Sequence, residues 1–185
     1  MESQSVSLQR FKIQMNTKDM VVTGLLTALV FIATRFINLR LPISVNGGLI
    51  HFGNVALFLS AIVFGKRKGA FAGAFGMGVF DVLSGWLVWA PFTFVIRGVM
   101  GYIIGAISNA NGKKGNSTFY NGISVLAGSL WMIAGYYLAE VMLYGNWLSP
   151  LTSVPGNIAQ IILGLAVGLP MAAMLKRSKA ISSII

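Results

Sequence analysis

The chain is predicted to be an all-α integral membrane protein: six transmembrane helices in one compact bundle, both termini on the inner side. Three observations predict it. Hydrophobic residues make up 56% of the 185 positions and charged residues only 10%, against about 25% charged in soluble domains. Mean hydropathy is +0.77. The apolar residues fall into six blocks, at about 19–37, 51–65, 70–88, 90–108, 120–144 and 155–175, with a polar segment 1–18 before them and a short tail 178–185 after the membrane domain 19–177.

The third observation is charge placement. Of 14 Lys and Arg, Arg10, Lys12 and Lys18 precede block one, and Lys66, Arg67 and Lys68 separate blocks two and three. Lys113 and Lys114 separate blocks four and five, and Lys176, Arg177 and Lys179 follow block six. These alternate loops are where the positive-inside rule puts cytoplasmic charge. The net charge of +10 is therefore a topology signal, with anionic lipid headgroups rather than nucleic acid as its contacts. The first eighteen residues contain no apolar signal-peptide core, so block one serves as the insertion signal.

Block one opens with Thr17 as the expected N-cap and Asp19 in the first turn, where an acid suits the helix dipole. Gly24 and Ala28 form a small-x-x-x-small pair, which lets helix backbones approach closely; packing inside the protein and packing against another subunit are both open. Residues 38–54 form a long outer connection with Pro42 and an Asn46-Gly47-Gly48 turn signal, a candidate binding loop through Asn46. His51, the sole histidine, reads as a hydrogen-bonding group at a helix entrance. Block two is short for a span that needs about 20 residues and would borrow length from that loop.

Block three carries Ala70, Ala74 and Gly78 at four-residue spacing, with Gly69, Gly73 and Gly76 beside them, a face for close helix neighbours. Asp81 lies in its outer half. Trp86 and Trp89 follow, and either join an interfacial belt or stack on a flat ligand ring. Pro91 opens block four, with Thr93 and Arg97 one turn apart on one face. In block five Tyr136, Glu140 and Tyr144 share a face, and Tyr137 adjoins it; in block six Asn157 and Gln160 share another.

Asp81, Trp86, Trp89, Thr93, Arg97, Tyr137, Glu140, Tyr144, Asn157 and Gln160, with Asn46 and His51 from the loop, are the candidate lining of one outward-facing pocket. Charges in membrane spans are costly and mark pairs or functional sites. Asp81 and Arg97 either pair with each other or bind a ligand. No cysteine is present, so thiolate sites are excluded, and a single histidine makes no metal cluster. No GxSxG, HExxH or GxGxxG motif appears, and the Gly112-Lys113 pair lacks the rest of a P-loop. A catalytic site is not expected, and any ATP hydrolysis belongs to another subunit.

The segments INLRLPISVNGGLIHFGN (37–54) and FDVLSGWLVWAPFTFVIRGVMGYIIG (80–105), set in six blocks, resemble the S components of energy-coupling-factor (ECF) vitamin transporters, specifically the riboflavin-type group with its pyrimidine and vitamin B6 carriers. Asp81, Gly85, Ala90, Pro91, Arg97 and Gly98 carry the match; Gly24-x-x-x-Ala28 stands where the family has A-x-x-x-A, and Asn54 where relatives often have an acid. The resemblance implies a prokaryotic plasma-membrane subunit that captures a vitamin near the outer face. It also implies partners: a transmembrane T component docked through Gly24 and Ala28, and two ABC-type ATPases that use ATP and Mg, with no cofactor in this chain. The favoured ligand is hydroxymethylpyrimidine, the thiamine precursor, or a pyridoxine-type vitamer. A riboflavin-specific S component is the near alternative. A self-sufficient secondary carrier is a second one, against which the lack of detectable repeat symmetry weighs.

Overall fold

The computed structural model describes residues 16–40 and 49–182; Asn46 lies outside them. Helix α1 (Thr17–Phe36) leads into a two-stranded antiparallel hairpin of β1 (Asn38–Arg40) and β2 (Leu49–His51), with Asn38 opposite His51. Helices α2 (Gly53–Phe64), α3 (Lys66–Leu83), α4 (Ala90–Ser108) and α5 (Thr118–Tyr144) follow. The sixth crossing is composite: α6 (Val154–Leu163), a π-helical turn (Gly164–Gly168) and α7 (Leu169–Arg177), with the short α8 (Lys179–Ser182) beyond. Among the described residues four segments are long and apolar enough to cross a membrane, α1, α4, α5 and 149–177; α2 and α3 complete the six.

Helix α2 sits at the centre. Every residue from Gly53 to Val63 is buried, as expected of a helix that is apolar all round. Its twelve residues reach about 18 Å, and extended β2 precedes it. Phe58 at its middle packs against Gly164 and Gly168, so a side chain at Gly164 would collide with the Phe58 ring. Those glycines flank the turn where the sixth crossing changes from α to π, an insertion that commonly marks functional helices.

The glycine face of α3 is the main seam. A Cβ on Gly73 would lie 2.6 Å from the Arg97 carbonyl oxygen and from Leu57, and one on Gly76 would lie 2.8 Å from Val30. Helix α3 thus presses its backbone against α1, α2 and α4 at once, the arrangement small residues permit. Gly24 and Ala28 face outward instead: a Cβ on Gly24 would meet nothing within 4 Å, and Ala28 is exposed while Thr23, Leu26 and Val30 are buried. Among the described residues, none packs against Gly24.

Several boundaries differ from expectation. The N-cap of α1 is Asn16, whose side chain accepts from the Lys18 N–H, rather than Thr17. Helix α3 begins at Lys66, four residues early, because the Lys-Arg-Lys run continues the helix. It stops at Leu83 instead of 88. There Gly85 takes φ +84° and the Trp86 N–H bonds the Asp81 carbonyl at 2.8 Å, a left-handed glycine stop that turns residues 84–89 into a loop.

The basic segments gather at one end of the bundle. Lys68 and Asp19 form an ion pair at 2.6 Å between the starts of α3 and α1. Asn109, after α4, donates to the Ile62 carbonyl at the end of α2, and Gly115 lies against both Ile62 and Lys176. By the positive-inside rule this end is cytoplasmic.

Candidate functional site

At the opposite end a cavity of about 120 Å³ opens between β2 and the outer ends of α1, α3, α4, α5 and α6. Helical spacing delivers its lining in pairs one turn apart: Met77 and Asp81 from α3, Thr93 and Arg97 from α4, Tyr136 and Glu140 from α5, Gly156 and Gln160 from α6. Asn157 and Ser153 join from the start of the sixth crossing, Thr34 from α1, Leu49 and His51 from β2. The glycine stop after α3 places Trp86 and Trp89 at the wall, so their position follows from Gly85 rather than from a continued helix.

Arg97 is the structural hub. It is 3% exposed, and a buried charge needs satisfied donors. Its Nη1 donates to Asn54 Oδ1 at 2.6 Å and its Nε to the Tyr136 hydroxyl at 3.1 Å. The guanidinium also lies 5.0 Å from the centre of the Tyr136 ring, within cation–π range, and Nη1 contacts the sulfurs of Met132 and Met100. Arg97 thus bonds to neutral groups, not to Asp81. Asp81 lies beside Thr93 and near enough to Arg97 to feel its charge. Thr93 in turn shares a 3.1 Å hydrogen bond with Tyr136.

Glu140, also 3% exposed, accepts from the Ser153 hydroxyl at 3.0 Å, which ties α5 to the start of the sixth crossing. Gln160 Nε2 donates to the Leu49 carbonyl at 2.8 Å, joining that crossing to the hairpin. Its Oε1 is buried with no hydrogen-bond partner among the described residues. An unpaired buried acceptor is unfavourable by about 1–3 kcal/mol, a deficit that a ligand donor would remove. His51, in β2 and outside the spanning helices, has its imidazole pushed down to about 3 by burial and, secondarily, by the Arg97 charge. It is neutral, and its Nδ1 accepts the Gly53 N–H at 3.2 Å, a hydrogen bond at the entrance of α2.

The cavity therefore holds two carboxylates, one guanidinium and a neutral imidazole beside two indoles. Its formal charge favours a neutral or weakly basic ligand, and its flat aromatic walls suit a ring.

Asp81, Trp86, Trp89, Thr93, Arg97, Glu140, Asn157, Gln160 and His51 all line this cavity. Tyr137 does not: its hydroxyl donates to the Trp147 carbonyl at 2.7 Å and its ring packs on Trp147. Tyr136 takes that place because it is one full turn from Glu140. Tyr144 lies a layer outside, its ring centre 6.3 Å from that of Trp89. Sequence reasoning missed Tyr136 as a lining residue, although the four-residue spacing from Glu140 was a usable signal. It also missed Ser153 and Thr34 in the lining, and gave Asn54 no role under Arg97; all three are single polar residues with no periodic mark.

Comparison with known proteins agrees with this architecture. The family model for the ECF-type riboflavin transporter S component matches residues 14–177. A thiamine precursor transporter, HmpT, of Lactococcus lactis subsp. cremoris is 26% identical over 163 residues, covering 88% of this chain and 90% of the relative. An uncharacterized protein of Pyrococcus woesei is 31% identical over 138 residues, 75% of this chain and 89% of that one. The chain belongs to the ECF-type riboflavin transporter S component family, as a multi-pass plasma-membrane protein that serves vitamin transport and not enzyme catalysis.

Proposed function

We propose that the chain is the substrate-capture subunit of an ATP-driven importer, and that its ligand is hydroxymethylpyrimidine or a closely similar small aromatic vitamin precursor, such as a pyridoxine-type vitamer. One observation carries the ligand assignment: the small outer cavity, lined by Trp86 and Trp89, with Asp81, Glu140 and the unpaired Gln160 oxygen as acceptors. An aminopyrimidine bearing a hydroxymethyl group offers amino and hydroxyl donors to these acceptors and a flat face to the indoles. The similarity to the lactococcal thiamine precursor transporter supports the same class. The volume of about 120 Å³ is below the 300–1,000 Å³ of sites for drug-sized ligands, which favours a single ring over the three fused rings of riboflavin.

The transport cycle would be driven by partners. Gly24 and Ala28 form an outward patch on α1 that admits a close helix–helix contact, and we assign it to the transmembrane T component, with two ABC-type ATPases supplying ATP hydrolysis on Mg. Co-purification tests this half of the proposal. Tagged protein from a native host should bring down a T component and the ATPases, and Ala28→Leu should lose them while keeping ligand binding. Vitamin uptake by the isolated chain in vesicles without ATP would contradict it and favour a self-sufficient carrier.

A further inference from the structure

A second cavity, of about 200 Å³, lies at the basic end, between the start of α5 and the last turns of α7. Asn116, Thr118 and Asn121 line one side, and Ala173, Lys176 and Arg177 the other. Among the described residues, none that lines it is acidic. Lys176 and Arg177 bring two cations to it, and Lys114 lies near enough to act on the Lys176 ammonium. The N-terminus of the 27-residue α5 adds the partial positive charge of the helix dipole.

A second, independent feature points to a ligand. Asn121 is 4% exposed; its Nδ2 donates to the Gly115 carbonyl at 2.9 Å, which fixes the amide's orientation. Its Oδ1 is buried, beside the cavity, with no donor among the described residues. Cations alone would call for any anion, but an orphan acceptor calls for an anion that also carries a donor. The pocket is built rather than incidental: Gly115 holds φ +74° and lies so close to the Ile62 carbonyl and to Lys176 that a side chain there would collide.

We infer that this cavity holds the headgroup of an anionic glycerophospholipid bearing a free hydroxyl, with the phosphodiester between Lys176 and Arg177 and the hydroxyl donating to Asn121 Oδ1. The shared chemistry, a phosphate ester with a hydroxyl, also exists in soluble form. Apolar side chains decide for the lipid: Phe119 and Met174, each adjacent in sequence to a lining residue, are both 72% exposed and offer surface for acyl chains. The cavity also sits at the level of the inner headgroups by the positive-inside rule. A lipid seated here would clamp α5 to α7, at the other end of the helices that form the vitamin cavity.

Native mass spectrometry of the full chain tests this with four probes: phosphatidylglycerol, phosphatidylmethanol (equal charge, no headgroup hydroxyl), phosphatidylcholine, and glycerol 1-phosphate. The expected order is phosphatidylglycerol first, then phosphatidylmethanol, then phosphatidylcholine, with glycerol 1-phosphate weakest. The combined change Lys176→Gln with Arg177→Gln should cut phosphatidylglycerol retention by about tenfold or more. Lys66→Gln with Arg67→Gln removes equal charge from the same end and should leave retention within about twofold of wild type; unchanged thermal unfolding verifies both folds. Equal losses in the two double variants, or no preference over phosphatidylcholine, would overturn the site. Equal retention of phosphatidylmethanol would overturn the hydroxyl contact to Asn121. Glycerol 1-phosphate binding as tightly as the lipid would overturn the lipid assignment in favour of a soluble ester.

Discussion

Asn54→Ala isolates the hub of the outer site. Asn54 is wholly buried, and its Oδ1 is the 2.6 Å acceptor for Arg97 Nη1. Hydrogen bonds to charged groups contribute about 1.5–3 kcal/mol, and a buried donor left without its acceptor adds its desolvation cost. Together these predict a loss of about 2–4 kcal/mol in folding stability. The remaining bond to Tyr136 and the weak sulfur contacts to Met132 and Met100 would not hold the guanidinium in place, so Arg97 would swing toward Asp81 and ligand affinity would fall as well. Asn54→Asp separates this from simple repacking: it keeps an oxygen at the same place and adds an opposite charge, so stability should match or exceed wild type. The assay is equilibrium unfolding in mixed micelles of increasing denaturing-detergent fraction, with ligand titration by tryptophan fluorescence. An alanine variant within about 0.5 kcal/mol of wild type would refute the hub. So would an aspartate variant as unstable as the alanine one.

Three further outcomes follow from the same geometry. Gly73→Ala forces a Cβ against the Arg97 carbonyl and should destabilise by about 1–3 kcal/mol, whereas Gly24→Ala, with open space around it, should be neutral or stabilise by up to about 1 kcal/mol; thermal unfolding compares them. Tyr136→Phe removes the hydroxyl shared by Arg97 and Thr93 and should weaken ligand binding about tenfold, while Tyr137→Phe should change it by less than about twofold, read by calorimetry. His51 is depressed to about 3 in the folded protein from an ordinary 6.5. The unfolded chain therefore binds more protons between those values, and stability falls as pH drops below about 6.5. At pH 5 the imidazole's share of that loss is about 2 kcal/mol, and His51→Gln should flatten that part of the pH profile.

The sequence made the membrane bundle readable because hydrocarbon imposes a length, a composition and a charge asymmetry that all point the same way. The glycines of block three announced the seam, since close helix approach in lipid needs small residues. Asp81, Arg97 and Glu140, which line the outer cavity, stood out in the sequence because an ionisable group in a span is costly without a role. What stayed hidden was relational. Nothing local says that Asn54 lies under Arg97, forty-three positions away, because a single Asn in an apolar run carries no period. The choice of Tyr136 over Tyr137 turns on about 100° of helix rotation, settled only by where Glu140 packs. The loop at 84–89 was readable from Gly85 as a helix stop, but the apolar run through Val88 masked it.

Ligand titration of the purified chain tests the central claim most directly. Quenching of tryptophan fluorescence, to which Trp86 and Trp89 contribute beside Trp131 and Trp147, is followed as hydroxymethylpyrimidine, pyridoxine and riboflavin are added in separate experiments, to the wild type and to Glu140→Gln. The account predicts saturable quenching by a single-ring ligand, weakened about tenfold or more by Glu140→Gln, and no saturable response to riboflavin. Tight riboflavin binding, or single-ring binding that ignores Glu140→Gln, would contradict it.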